Sequence, residues 1–263
     1  MRVLVTNDDG IHAPGLSVLS DIAHAISDDV WIVAPESEQS GASHSLTLHV
    51  PLRMRQVEER KFAVLGTPTD CVLMGVIEIL KDRRPDLVLS GVNRGANVAD
   101  DVTYSGTVAG AMEGTALGIP SVALSQAHIA GNVPWDTARR FGAPLLRHLL
   151  KAGWSREVLL NVNFPPVPPA DVRGVRAGVQ GTRDQSGIKI ERRTDMRNNS
   201  YYWIGYWRDD PAAAAGSDIS ALETGYISVT ALHLDLTHHG AQKALDEVVA
   251  SCAISDGTFS VSG

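Results

Sequence analysis

The chain has 263 residues with 30 acidic against 23 basic side chains, a formal net charge of -7 and 44% hydrophobic residues, the profile of a globular protein long enough to bury a substantial core. A field of that sign repels polyanions, so nonspecific nucleic-acid or anionic-membrane binding is disfavoured, and a phosphate-bearing substrate would need local neutralisation. The two cysteines, Cys71 and Cys252, are too few for a disulfide framework and read as reduced. No run approaches the ~20 apolar residues of a spanning helix, and the N-terminal MRVLVTND lacks the apolar core of a signal peptide, so a cytoplasmic location is expected.

In chain order, Val3 to Thr6 is a short β-branched and apolar run. A Gly- and Pro-containing loop follows, and then an apolar periodicity at Leu16, Leu19, Ile22, Ala23 and Ile26, which reads as strand, loop, helix. Val30 to Ala34 is a continuous apolar run stopped by Pro35, as expected of a strand covered on both faces. Ser45 to Val50 and Lys61 to Leu65 read as a pair of strands inserted into the repeat. The helical patterns Cys71 to Leu80 and Val108 to Leu117 are each followed by an apolar run, Leu87 to Leu89 and Val122 to Leu124. This alternation predicts a mostly parallel α/β sheet with helices on both faces.

The run VLLNVNF ends at Asn163–Phe164 and meets PPVPP, which marks a boundary between a Rossmann-like core of residues 1–163 and a β-rich and helical C-terminal part of residues 164–263, expected to serve oligomerisation and also to complete the core. Residues 172–223 are irregular, with basic residues (Arg183, Lys189, Arg192, Arg193, Arg197) that read as a solvated hairpin face rather than as substrate contacts. Tyr201, Tyr202, Trp203, Tyr206 and Trp207 would place aromatics on both faces of one strand, which calls for cover either from a partner subunit or from the same chain. Tyr226 to Leu232 returns to strand texture, and Gly240 to Val249 predicts a last helix. His238 and His239 read as helix-capping or surface residues rather than ligands.

Ligands of a parallel α/β sheet gather where strands end and helices begin. Three such loops carry unusual polar residues. In Asn7-Asp8-Asp9-Gly10, two adjacent carboxylates repel unless a cation or a proton intervenes, and a hard divalent ion is the simplest neutraliser; the competing reading is a solvated turn capping the next helix. Ser40, after Glu36, and Asn93, in SGVNRGAN, would add neutral oxygens at the same sheet edge and leave positions for water and phosphate, although each alone is an ordinary turn residue. Ser105-Gly106-Thr107 opens a helix, where unpaired N–H groups bind anions, or where a hydroxyl merely caps. The chain has no GxxxxGK[ST], no GxGxxG after the first strand, no GxSxG and no HExxH spacing, which removes the P-loop, dinucleotide-binding, serine-hydrolase and zincin readings.

The blocks VTNDDGIHAPG, SEQSGASHSLT, GTPTDCV and SGVNRGANVADDVTYSGTVAGAMEG, with the strand Tyr226 to Leu232, resemble the SurE family of stationary-phase survival proteins, closely from Met1 to about Asn163 and more weakly beyond. The resemblance implies a metal-dependent 5'/3'-nucleotidase acting on nucleoside monophosphates, with exopolyphosphatase activity in some members. It implies one divalent ion per subunit, Mg²⁺ or Mn²⁺, held by Asp8, Asp9, Ser40 and Asn93, and phosphate contacts at Asn97, Ser105, Gly106 and Thr107. It also implies a Rossmann-like domain whose C-terminal part is exchanged between subunits of a homodimer or homotetramer. Arg94 and Ala96 stand where members vary, so base preference does not carry over. The expected mechanism is attack by water activated at the ion, with Asp8 or Asp9 orienting or deprotonating it. Two rival readings stand beside it: an aspartyl-phosphate on Asp8, disfavoured because Asp-x-Asp is absent, and a non-catalytic nucleotide or polyphosphate sensor.

Overall fold

A computed structural model of the chain describes residues 1–129, 131–183, 188–206, 213–255 and 258–261; Trp207, one of the five aromatics of the predicted two-sided strand, lies outside them. The chain divides into two compact units, Met1–Leu232 and His233–Gly263.

The first unit is built on a nine-stranded sheet. Its strands are β1 (Arg2–Thr6), β2 (Asp29–Pro35), β3 (Arg53–Glu58), β4 (Lys61–Leu65), β5 (Leu87–Arg94), β6 (Ser121–Gln126), β7 (Val158–Phe164), β8 (Gly174–Ala177) and β11 (Tyr226–His233), in the spatial order β3-β4-β2-β1-β5-β6-β7-β11-β8. Pairing is parallel from β4 through β2, β1, β5 and β6 to β7 and again between β11 and β8, while β3 runs antiparallel to β4. The sheet does not stop at the Pro-rich stretch, because β8 and β11 extend it.

The apolar strand runs are continuous because both faces are covered. Val3 and Val5 point to one face, in a core shared with Leu16, Leu19 and Ile22 of α1 (Pro14–His24) and Leu146 of α5 (Trp135–Ala152). Leu4 points to the other face and packs with Cys71 and Val72 of α2 (Pro68–Leu73), which continues as a π-helical stretch over Met74–Ile79. The short α3 (Asp101–Tyr104) precedes α4 (Gly106–Ala116), which lies on the same face as α2. Gly106, Gly110 and Gly114 recur at four-residue spacing, and a Cβ on Gly110 would stand 2.8 Å from Ser90 Oγ and one on Gly114 2.3 Å from Ser121 Oγ. Bare backbone on that stripe lets α4 lie directly on the sheet.

The expected strand at Ser45 to Val50 does not form; the strand paired with Lys61–Leu65 is β3, which starts at Arg53. Side chains take the earlier segment instead. Asp70 Oδ1 accepts the Thr47 N–H (3.0 Å), Asp70 Oδ2 accepts the Thr47 hydroxyl (2.6 Å), and the Thr67 hydroxyl donates to the Ser45 carbonyl (2.8 Å). Asp70 and Thr67 also form the reciprocal cap of α2, so the segment is fastened to a helix N-terminus rather than to a ladder.

Beyond β8, the antiparallel hairpin β9 (Ile188–Thr194) and β10 (Ser200–Tyr206) is followed by α6 (Asp218–Glu223). On β10 Tyr202 is 58% and Trp203 59% exposed, so these aromatics are not buried within their own chain. The second unit comprises α7 (His239–Ala250) and the hairpin β12 (Cys252–Ser255) and β13 (Thr258–Val261). His238 caps α7 as the sequence predicts, its Nδ1 accepting the Ala241 N–H at 2.9 Å. Leu236, Leu245 and Val248 are exposed there.

Candidate active site

Strand order reverses between β1 and β5, since the chain runs from β1 outward through β2 on one side and from β5 outward through β6 on the other. In open α/β sheets a crevice forms at such a point, outside the carboxyl ends of the strands. The loops after β1, β2, β5 and β6 meet there around a cavity of about 520 Å³ that brings together Asp8, Ser40, Asn93, Asn97 and Ser105.

Asp8 stands two residues beyond β1, and Gly10 turns the chain with φ +101°. Its carboxylate is buried: Oδ1 accepts the Thr107 hydroxyl, and a Cβ on Gly106 would stand 2.8 Å from Asp8 Cβ and 3.1 Å from its Oδ2. Glycine at 106 therefore lets the start of α4 rest against the carboxylate, where the positive end of the helix favours negative charge. Ser105 Oγ caps α4 by accepting the Val108 N–H at 3.0 Å. Gly106 and Thr107 do not line the cavity, and the Thr107 hydroxyl is given to Asp8.

Asp9 is half-buried and lines a neighbouring cavity of about 400 Å³ with Gly15 and Trp135. Its Oδ2 accepts the Arg94 N–H at 3.2 Å, and Arg94 lines both cavities. The two carboxylates thus line neighbouring cavities that share Arg94, and the Asp9 charge is felt at Asp8. Asn93 reaches the cavity through a register shift in the β5–β6 ladder between Ser90 and Asn93, and its Nδ2 donates to the Gly95 carbonyl at 3.0 Å. Ser40 is exposed on the β2 loop and donates to Glu38 Oε1 at 2.9 Å.

Burial pushes the Asp8 carboxyl up to about 6, against the pull of the Thr107 hydroxyl and with a further push from the Asp9 charge. Burial also raises Asp9, aided by Glu38 and opposed by the N–H and charge of Arg94. Burial thus outweighs the partners of both carboxylates, an environment that a bound cation would relieve. Among the described residues no group of three or more His, Cys, Asp and Glu gathers closely enough to hold a metal ion. The donor set is two carboxylates with neutral oxygens, which suits a hard divalent cation better than zinc.

Asn97 is held by a buried amide network that the sequence reading missed. Its N–H donates to Asn163 Oδ1 (2.8 Å), its carbonyl accepts Asn161 Nδ2 (2.8 Å) and Asn163 Nδ2 (3.1 Å), and its own Nδ2 donates to Ser125 Oγ (2.9 Å). The signal was present in VLLNVNF, where two amides at i and i+2 share one face of an otherwise apolar buried strand. Downstream of Asn97, Asp218 is fully buried and accepts three backbone N–H groups, from Ala99 (2.9 Å), Gly181 (2.9 Å) and Ile219 (2.8 Å).

Arg183 departs from the expected solvated face. Its side chain is only 12% exposed, its Nε bonds Asp101 Oδ2 at 2.9 Å, its N–H donates to Asp100 Oδ2 at 2.8 Å, and it lines the main cavity. Lys189 to Arg197 lie on the exposed hairpin, as expected. A single arginine distant in sequence carries no periodicity that would have set it apart from its basic neighbours.

The chain matches the family model for survival protein SurE over residues 3–187. It is 57% identical over 256 residues to the 5'-nucleotidase SurE of Parvibaculum lavamentivorans, covering 96% of this chain and 92% of that one. With the protein of the same name from Bradyrhizobium diazoefficiens the identity is 56%, covering 93% and 98%. A crystal structure of the SurE protein from Aquifex aeolicus superposes with a TM-score of 0.81 at 37% identity, covering 94% of this chain and 99% of that one. A switch-point cavity on a mostly parallel sheet, a family match across most of that sheet and relatives alike over nearly their whole length place the chain in the survival protein SurE family.

Proposed function

We propose that this chain is a divalent-metal-dependent phosphomonoesterase that hydrolyses nucleoside monophosphates to nucleoside and phosphate, as a 5'/3'-nucleotidase. The observation that carries this reading is the single cavity in which a buried, cation-demanding Asp8 abuts the N-terminus of α4 beside Asn93 and Asn97. Relatives of 57% identity that bear the name 5'-nucleotidase support the substrate class.

Asp8, Asp9, Ser40 and Asn93 are the residues that would hold the ion. With Asn93 Nδ2 committed to the Gly95 carbonyl, its Oδ1 is the donor a cation would use. The ion, Mg²⁺ or Mn²⁺, would supply Lewis-acid stabilisation of the phosphate and a lowered pKa for the attacking water. The protein's own part is positional. Asn97, clamped on three sides by amides and a hydroxyl, and the Ser105 end of α4 would seat the phosphate oxygens. Gly106 and Thr107 act one step back, the first by close approach and the second by orienting Asp8. A carboxylate of Asp8 or Asp9 would orient the attacking water and take its proton.

The exposed aromatics of β10 and the exposed apolar residues of α7 support a homo-oligomer in which the C-terminal part is exchanged between subunits. No helix of the described residues is long and apolar enough to cross a membrane, and the free Cys71 and Cys252 suit a reducing, cytoplasmic compartment.

The test is phosphate release from a panel of nucleoside monophosphates and short polyphosphate by EDTA-stripped protein, with Mg²⁺, Mn²⁺ or Ca²⁺ added back. Metal-restored release from the monophosphates is expected. Folded protein that binds nucleotide yet releases no phosphate with any metal would replace this reading with that of a sensor.

A further inference from the structure

The proposed reaction so far provides for the attacking water and the phosphate but not for the leaving group. A ribose alkoxide is a poor leaving group, and its departure is eased when a positioned acid delivers a proton as the P–O bond breaks. Among the described residues lining the main cavity, His128 is the sole imidazole; the remaining acids and cations there are Asp8, which is the ion's own carboxylate, Asp101 paired with Arg183, the two arginines, which do not deprotonate, and the exposed Tyr104.

His128 sits two residues past β6, on the fourth of the loops that meet at the crevice. Its Nε2 lies 4.0 Å from the point a Cβ on Gly95 would occupy, and Asn93 Nδ2 lies 3.9 Å from the same point. The Asn93 amide and the His128 imidazole thus both face the space that a side chain at position 95 would fill, and glycine there leaves it free. The His128 loop is fastened from below. The Ala127 N–H donates to the Phe164 carbonyl (3.0 Å), and the buried Gln126 side chain donates to the Ala127 (3.1 Å) and Pro165 (2.9 Å) carbonyls. His128 itself is exposed at the cavity, so it can exchange protons with solvent between turnovers.

The geometry points to His128 as the general acid for the leaving group, an inference that rests on the phosphomonoesterase reading above. In the step, the water oxygen forms a bond to phosphorus and gives a proton to a carboxylate of Asp8 or Asp9. The P–O bond to the sugar breaks with its electron pair going to the sugar oxygen, and that oxygen takes the Nε2 proton of the His128 imidazolium. Nucleoside and phosphate leave, the carboxylate returns its proton to solvent and the imidazole regains one, so the protons balance.

The experiment compares His128→Gln with wild type, both Mn²⁺-loaded, on a nucleoside monophosphate and on 2,4-dinitrophenyl phosphate, whose phenolate leaves without a proton. An acid role lowers kcat on the nucleotide by about 10²–10⁴-fold and leaves kcat on the aryl ester within about threefold. In His128→Ala, added imidazole should restore part of the nucleotide rate. Equal losses on both esters, or no loss on either, overturn the assignment while leaving the phosphomonoesterase reading in place. Wild-type protein inert towards both esters overturns the two together.

Discussion

Helix α4 and strand β10 carry apolar or small side chains in comparable density, yet the chain treats them in opposite ways. On α4 every residue from Gly106 to Ala111 is buried, whereas on β10 Tyr202, Trp203 and Ile204 (70%) stand exposed. The difference lies in what can approach. A glycine stripe allows α4 to lie on the sheet with its N-terminus against Asp8, while bulky aromatics alternating on a two-stranded hairpin offer two faces with no sheet of their own to meet. One region is finished inside the chain and can preorganise chemistry. The other is a surface whose completion we assign to a second subunit.

The largest expected effect tests the finished region. Asp8→Asn keeps an oxygen to accept the Thr107 hydroxyl, so the fold should persist while phosphate release falls about 10³-fold. Near-normal turnover in this variant, alongside an unchanged melting curve, would remove Asp8 from the chemistry.

Next comes the brace behind the cavity. Asp218→Ala strips the acceptor from three backbone N–H groups, two of them in segments flanking the site, and should cost about 3 kcal/mol in urea unfolding, with a raised KM because Ala99 lies two residues from Asn97. A loss below about 0.5 kcal/mol would mean that water replaces the carboxylate without penalty.

Gly106→Ala sharpens the comparison directly, because it puts a side chain on the bare stripe that lets α4 approach Asp8. The added Cβ, 2.8 Å from Asp8 Cβ, should cost about 1–3 kcal/mol in thermal unfolding and weaken Mn²⁺ binding measured by calorimetry. Unchanged metal affinity would separate the helix start from the site. The smallest effect on the single chain is expected on β10: Trp203→Ser should change intrinsic stability by less than about 0.5 kcal/mol yet shift the sedimentation profile towards smaller species. An unaltered profile would deny the hairpin a role in assembly.

Much of the site was legible before the fold was known, for a physical reason. Asp8, Ser40, Asn93, Asn97 and Ser105 each follow a recognisable strand or open a recognisable helix, and a parallel sheet delivers all such loops to one edge. What misled was the assignment of atoms. Thr107 reads as an anion donor but spends its hydroxyl on Asp8, and Ser45 to Val50 reads as a strand but is fastened to Asp70 and Thr67. In both cases a hydrogen bond to a side chain distant in sequence takes up the group, which local pattern cannot report.

The sequence by itself determined the strand–helix alternation, the parallel sheet and the polar loops at its carboxyl edge, because burial periodicity and turn chemistry are local properties of the chain. Only the tertiary structure decided that Asp8 and Asp9 line neighbouring cavities that share Arg94, that Asn161 and Asn163 clamp Asn97 from 64 and 66 residues away, and that Arg183 and His128 complete the rim. Those facts depend on the order in which strands lie side by side, and contacts made across a sheet leave no periodicity in the chain that makes them.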